Sequence, residues 1–268
     1  MVYALTKGSE RGRNDRAPFA SPPQVRLPHQ PSIGTAAEIV PQAVAQDAGV
    51  AARIESQRRG HDFLEPVERR HLLHKFTNRQ ARRLRSDPPI DILVNNAGAA
   101  LIGDFATADP AKMDELLRLN VVAPTLLASA VVGRMVERGS GAIINIASVL
   151  ALLPEYSRGI YSATKSYLMT LSQGLAAEVT SKGVYVQAVL PAATRTEIYE
   201  RAGGDTSKVP NVMEVEDLVD AALIGFDRKE LVTIPPVPDV AAWEAFEKAR
   251  GVLAAGFGNS RPAARYRA

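Results

Sequence analysis

Apolar residues are organised in two different ways along this chain. From about Pro88 onward, short apolar runs alternate with long amphipathic stretches. Ile90 to Asn95 (IDILVN), Gly141 to Ala147 (GAIINIA) and Val184 to Leu190 (VYVQAVL) have strand length and little alternation, the pattern of strands buried on both faces of a parallel sheet. Between them, Asp109 to about Glu137 predicts a helix with Asp109 as N-cap and Pro110 at its first position. Tyr156 to Lys182 predicts a second helix, closed by Gly183. Glu214 to Phe226 predicts a third, and Leu231 to Ile234 a short last strand. Strands alternating with helices imply an α/β fold, a doubly wound parallel sheet with helices on both faces. Ligands of such sheets bind beyond the carboxyl ends of the strands, where Asn95 to Gly98, Ser148 and Pro191 to Thr196 fall.

Residues 1–80 lack this order. They are rich in Arg and Pro, and their periodicity is poor, so their strands and helices stay open. The chain therefore divides into an atypical segment, 1–80, and a patterned domain, 81–268. Charge follows the same division. Residues 1–85 hold 15 basic and 8 acidic side chains, whereas the remaining 183 hold 17 and 21. The net charge of +3 is too small to imply a nucleic-acid partner. The basic segment has few aromatics and no nucleic-acid motif. With no cysteine, disulfides, thiolate catalysis and cysteine metal sites are excluded, and all four histidines fall in the first 85 residues, so no metal site is expected. No apolar run approaches the roughly 20 residues of a membrane helix, and Met1 to Arg13 lacks the apolar stretch of a signal peptide. The expected setting is a reducing cytoplasm.

The candidate chemistry lies in the patterned domain. Tyr161 and Lys165 are four apart on one predicted helix and share a face. An ammonium near a phenol favours phenolate and lowers its pKa from about 10, which is how a tyrosine becomes an acid/base near neutral pH. Ser148 ends the preceding strand, thirteen residues earlier. Its hydroxyl could bond a substrate oxygen that also meets the Tyr161 hydroxyl. Asn120 sits inside the long preceding helix, where asparagine is unfavourable and needs a local reason.

Asn95-Asn96-Ala97-Gly98, Asn120, Ser148, Tyr161 and Lys165, in this order in an alternating frame, resemble the short-chain dehydrogenase/reductase family over roughly residues 81 to 240. The resemblance implies a Rossmann-like domain. It implies an NAD(P)-dependent oxidoreductase that interconverts a ketone and a secondary alcohol. Tyr161 would be the general acid/base. Lys165 would lower its pKa and hold the nicotinamide ribose hydroxyls, Ser148 would orient the carbonyl or hydroxyl, and Asn120 would hold a water that extends a proton relay to the lysine. Asn95, Ala97 and Gly98 would line the adenosine-ribose side and steady the sheet. Pro191 and Ala192 stand where the family has Pro-Gly, and Thr194 and Thr196 follow where it contacts the carboxamide and pyrophosphate. The apolar segments Val149 to Pro154 and around Ile198 and Tyr199 would face the substrate in this fold, so a small-molecule, apolar carbonyl or alcohol is expected, although core packing explains those leucines equally well. The resemblance also implies a homodimer or homotetramer, formed through the helices at 109–137 and 156–182, with Ala163, Tyr167, Thr170, Gly174 and Ala177 facing outward.

The start of the chain departs from the family. A strand at Val2 to Thr6 precedes Gly8 and Gly12, but Lys7 intrudes and Asn14 replaces the last glycine of Thr-Gly-x-x-x-Gly-x-Gly. Dense prolines follow where a helix should open onto the pyrophosphate. Arg69 and Arg70, after a weak second-strand pattern, would favour NADP. Residues 1–80 are therefore a divergent half-site, a disordered basic arm or an out-of-frame translation. Weak or absent dinucleotide binding is expected. The alternative function is a non-catalytic relative without a cofactor cradle.

Overall fold

The computed structural model describes residues 2–5, 77–85, 89–156 and 159–267. Gly8, Gly12, Asn14, Arg69 and Arg70 lie outside the described residues, as does nearly all of the expected poorly ordered segment.

One sheet organises the chain. Its strands are β1 (Val2–Leu5), β2 (Ile92–Asn95), β3 (Gly141–Ile146), β4 (Val184–Val189) and β5 (Val232–Thr233), in that spatial order. β2 to β5 pair in parallel, as the apolar runs predict. β1 departs from this. It pairs with β2 antiparallel, Val2 opposite Asn95 and Leu5 opposite Ile92. The parallel sheet read from the apolar runs therefore stands, and β1, whose arrangement the sequence left open, adds an antiparallel edge. The chain leaves β1 beside Ile92, at the end of the sheet opposite to Asn95. A four-residue apolar strand carries no signal for its direction, because the same side chains suit either ladder.

Helix α1 (77–84), helix α2 (Pro110–Leu117) with its continuation α3 (Ala123–Arg138), and helix α4 (Ile160–Val179) complete one side. Leu93, Ile143 and Val186 alternate onto this face and meet Leu127, Val131 and Met135 of α3 and Ala176 and Val179 of α4. Helix α6 (Val215–Asp227) covers part of the other face, where Phe226 packs edge-on against Tyr185 with centroids 5.2 Å apart. Asp109 does cap α2, accepting from the Ala111 N–H at 2.8 Å. A short helix α5 (Ile198–Arg201) and helix α7 (Val240–Ala254) have no counterpart in the sequence expectation. Trp243 joins α7 to a core of Leu168, Met169 and Leu190.

The expectation that no stretch could cross a membrane needs correction. Pro110–Arg138 is 29 residues long, with a mean hydropathy of 1.6 over its most apolar window, enough by length and composition alone. Here its apolar side is built into the sheet core, through Leu116, Leu127, Val131 and Met135.

The turns that enter β3 and β4 abut. Gly139 ends α3 at φ 67 and Gly183 precedes β4 at φ 81, both left-handed. A Cβ on Gly183 would run into the Gly139 carbonyl. Gly183→Ala therefore combines backbone strain with a backbone collision and should cost about 2 kcal/mol or more. Gly251→Ala, on α7 with open space around it, should be neutral or stabilise by about 0.5–1 kcal/mol. Urea unfolding of both variants measures the contrast.

Candidate active site

Buried polar side chains gather at the carboxyl ends of β2, β3 and β4 and on the helices packed against them. Asn95 and Asn145 lie opposite each other in the β2–β3 register. Asn95 Nδ2 donates to Asn145 Oδ1 at 2.8 Å, and Asn145 Nδ2 donates to Ser172 Oγ of α4 at 2.8 Å. Ser172 Oγ in turn donates to the Leu168 carbonyl at 2.7 Å. A row of amides so crosses the apolar layer with its donors matched, as burial requires. Asn95 Oδ1 is the exception, buried without a partner. Asn145 and Ser172 were not singled out from the sequence. The signal for Asn145 was an amide in the middle of an apolar strand.

Asn120 is buried, not a surface residue, and the reason for its position is local. It lies in a π-helical turn, Arg118–Val122, that joins α2 to α3, with the Ala123 N–H bonded to the Arg118 carbonyl. Such wide turns are common at functional sites. The Asn120 side chain accepts from the Ala99 N–H at 3.0 Å and donates to the Ala99 carbonyl at 2.9 Å and to Thr164 Oγ1 at 3.1 Å. Thr164 Oγ1 itself donates to the Tyr161 carbonyl at 2.7 Å. Asn120 thus ties the loop after β2 to the first turn of α4. Both of its amide hydrogens are committed, so the side chain ties these elements together.

Ser148 follows β3. Its hydroxyl accepts from the Leu150 N–H at 3.2 Å, lies 3.4 Å from the Pro191 carbonyl, and shares a hydrogen bond with the Tyr161 phenol. Pro191 therefore fixes the serine loop to the end of β4, a link reinforced by the Val149 N–H on the Pro191 carbonyl at 2.9 Å. Lys165 is buried one turn beyond Tyr161. Its Nζ donates to the Ile146 carbonyl at 2.9 Å and stands 5.7 Å from the centre of the Tyr161 ring. Gly98 lets the backbone come close here: a Cβ would sit 3.5 Å from both Lys165 Nζ and Asn120 Oδ1. Ala97 is half-buried in the same loop. Thr194 and Thr196 are in the loop after β4, but their hydroxyls turn to the Ala192 and Thr194 carbonyls, at 3.1 and 3.5 Å.

The electrostatics differ from the sequence expectation. Burial pushes the Tyr161 pKa up to about 12, helped by the nearby Tyr199 phenol, while the Ser148 hydrogen bond pulls it down by less. Burial also pulls Lys165 down to about 8. The phenol is thus raised and not lowered as expected, because desolvation penalises the charged forms of both groups. Tyr161 rests as a neutral phenol, ready to donate a proton.

The arrangement has known relatives. The family model for short chain dehydrogenases matches residues 38–206. The chain belongs to the short-chain dehydrogenase family. A short-chain dehydrogenase of Sphingobium yanoikuyae, solved in complex with NADPH, is 51% identical, with a TM-score of 0.70 over 71% of this chain and 75% of that one. The bulky-bulky ketone specific alcohol dehydrogenase of Comamonas testosteroni is 46% identical, with a TM-score of 0.66 over 72% of this chain and 74% of that one. D-beta-hydroxybutyrate dehydrogenase of Rhizobium meliloti is 28% identical over 59% of this chain and 62% of its own length. Other curated relatives, from Thermotoga maritima, Azospirillum brasilense and Pseudocercospora fijiensis, are spanned over 43%, 45% and 36% of their lengths. The match to the family begins well before residue 81, so part of the atypical segment is family-like in sequence.

The buried Lys165 makes a prediction about stability. Its folded pKa, about 8, lies below its ordinary value of 10.5. The folded state therefore suffers the full cost of the charged lysine below pH 8, and stability rises as pH climbs from 8 towards 10.5, because the unfolded chain then holds more protons. The gain should be roughly 2–3 kcal/mol. Tyr161, raised to about 12, opposes it only above pH 10. Lys165→Met should remove most of the rise between pH 8 and 10 in urea unfolding, leaving the smaller part owed to Lys229, which burial also lowers.

Proposed function

We propose that this chain is an NAD(P)-dependent oxidoreductase, with NADP preferred, that interconverts a bulky ketone and its secondary alcohol. The observation that carries this reading is the Ser148–Tyr161 hydrogen bond beside the buried Lys165 ammonium. Two adjacent hydroxyl donors are what a carbonyl oxygen needs as it gains negative charge. Tyr161, neutral at physiological pH, donates the proton, and Ser148 donates the second hydrogen bond. The Lys165 charge then stabilises the phenolate left behind. In the oxidation direction the same groups run in reverse.

The donor set fits the nicotinamide half of the cofactor. Lys165 has three N–H donors and gives one to the Ile146 carbonyl, so two remain for adjacent ribose hydroxyls. Pro191, Ala192 and Thr194, with Thr196 beyond them, would border the nicotinamide from the end of β4. When bound, the nicotinamide supplies or accepts the hydride at the carbonyl carbon. NADPH in the Sphingobium relative, and bulky ketones for the Comamonas one, support the choice of cofactor and substrate. The lack of cysteine supports a cytoplasmic setting.

A second reading, a relative without a dinucleotide cradle, is favoured by one observation. β1 runs antiparallel and delivers the chain to the end of the sheet away from Asn95 and Gly98. Titration of the full chain with NADPH, read by nicotinamide fluorescence, separates the two: micromolar binding supports the oxidoreductase, and its absence supports the second reading.

We also propose self-association as a homodimer or homotetramer. Ala163, Tyr167, Thr170, Gly174 and Ala177 of α4 are all exposed, and the Tyr167 hydroxyl is bonded to Thr125 of α3 at 2.8 Å, which makes one continuous outer face. Light scattering at micromolar protein should give a mass at least twice that of the chain, and a monomer would count against it. Tyr161→Phe should lower ketone turnover by about 10²–10⁴-fold while the circular dichroism stays unchanged. Undiminished turnover would mean that another group supplies the proton.

A further inference from the structure

Consecutive residues of β3 hold α4 at two points. Asn145 follows Ile143 by two along the strand, so its side chain lies on the same face, the one that packs against α3 and α4. There it donates to Ser172 Oγ at 2.8 Å. The next residue, Ile146, offers its carbonyl to Lys165 Nζ at 2.9 Å. Lys165 and Ser172 stand about two turns apart on α4, on one side of the helix. Neighbouring residues of one strand thus grip the helix twice, and its position along β3 is fixed.

Asn145 also reaches the other way. Its Oδ1 accepts from Asn95 Nδ2 at 2.8 Å, in the register that sets the two residues opposite each other. From Asn95 the chain runs directly to Gly98, which passes so near the lysine that a Cβ there would stand 3.5 Å from Nζ. One amide therefore holds both the helix that carries Lys165 and the base of the loop beside it.

The core has no need of an amide in this position. Asn145 and Ser172 are completely buried, and Ile143 before them on the same face is apolar. Two apolar side chains of the same shape would serve stability about as well as a buried hydrogen-bonded pair. Apolar packing is non-directional, however, and leaves a helix free to shift by a fraction of an ångström, whereas a hydrogen bond of 2.8 Å does not. The group that such a shift would displace is the Lys165 ammonium, which depends on the Ile146 carbonyl in a site where desolvation is costly.

We propose that Asn145 is a positioning residue for Lys165: by holding β2, β3 and α4 in one register, it sets where the ammonium stands beside Tyr161. Its bonds go to Asn95 and Ser172, so it acts on the proton chemistry through the lysine. The proposal deepens the oxidoreductase reading and rests on it for the kinetic test alone.

The first test follows the lysine itself, by NMR titration of the full chain carrying isotope-labelled lysine, with Lys165→Met to assign the signal. In the wild type, Lys165 should lose its proton at about pH 8. In Asn145→Ala, and in the milder Ser172→Ala, the ammonium is no longer held to the β3 carbonyl and gains water. Its midpoint should rise by about one pH unit, a tenfold change in the proton equilibrium. The double variant should shift no further than Asn145→Ala, because both changes break one link. Ile143→Val, which trims the same face without touching the row, should leave the midpoint in place. The second test uses NADPH and benzophenone. In Asn145→Ala, kcat at neutral pH should fall about tenfold while KM for the ketone stays within about twofold, and the pH profile of kcat should move with the NMR midpoint. Midpoints that stay at the wild-type value in Asn145→Ala and Ser172→Ala overturn the proposal. So does an equal shift in Ile143→Val, the mark of general loosening, and so does an unchanged kcat in an active enzyme. Shifted midpoints in a chain whose wild type neither binds NADPH nor reduces benzophenone support the placement of the lysine and overturn the oxidoreductase reading instead.

Discussion

The ammonium of Lys165 is buried, and among the described residues no carboxylate pairs with it. A charge in that position is costly unless its surroundings supply dipoles. The structure offsets part of the cost with the Ile146 carbonyl at the end of β3. What remains is a lysine whose proton is loosely held and whose unused donors face the site. The Tyr161 phenol, the Ser148 loop and the loop after β2 all converge on this one side chain, so its position decides whether the site is a site at all.

Convergence depends on polar ties between elements that the apolar core alone would leave free to slide. Leucine and valine packing sets how α3 and α4 lie on the sheet, but it does not fix a loop to a fraction of an ångström. Three ties do that here. Asn95, Asn145 and Ser172 join β2, β3 and α4. Asn120 and Thr164 join the loop after β2 to the first turn of α4, where Tyr161 sits. Ser148 and Pro191 join the ends of β3 and β4. The π turn at Asn120 belongs to the second tie: it is a local departure from α geometry in an otherwise regular 29-residue helix.

The direction of β1 bears on both functional readings. In a sheet with every strand parallel, the turn after β1 would open beside Asn95 and Gly98. With β1 reversed, its last described residue, Leu5, lies opposite Ile92 instead. The half of the site built by β2, β3 and β4 does not depend on this, because its ties run among those strands and the helices between them.

Much of the fold was legible in order and spacing. The apolar runs at Ile90, Gly141 and Val184 became adjacent parallel strands because a run without alternation has nowhere to go but between two helical layers. Tyr161, Lys165 and Ser148 were legible too, since a four-residue helical spacing and a strand end are local features. The outward face of α4 followed from the same periodicity. The charge state of the site was not legible. Spacing says that an ammonium lies near a phenol, but only the depth of burial says that desolvation outweighs their attraction and lifts Tyr161 to about 12. Nor could the sequence show that Asn120 bonds Ala99 and Thr164, or that Asn145 is part of a buried row. Those are contacts between residues far apart in the chain, and a strand of four apolar residues such as β1 carries no direction of its own. Local pattern determines which elements form, whereas burial, strand direction and long-range hydrogen bonds exist only once the elements have packed.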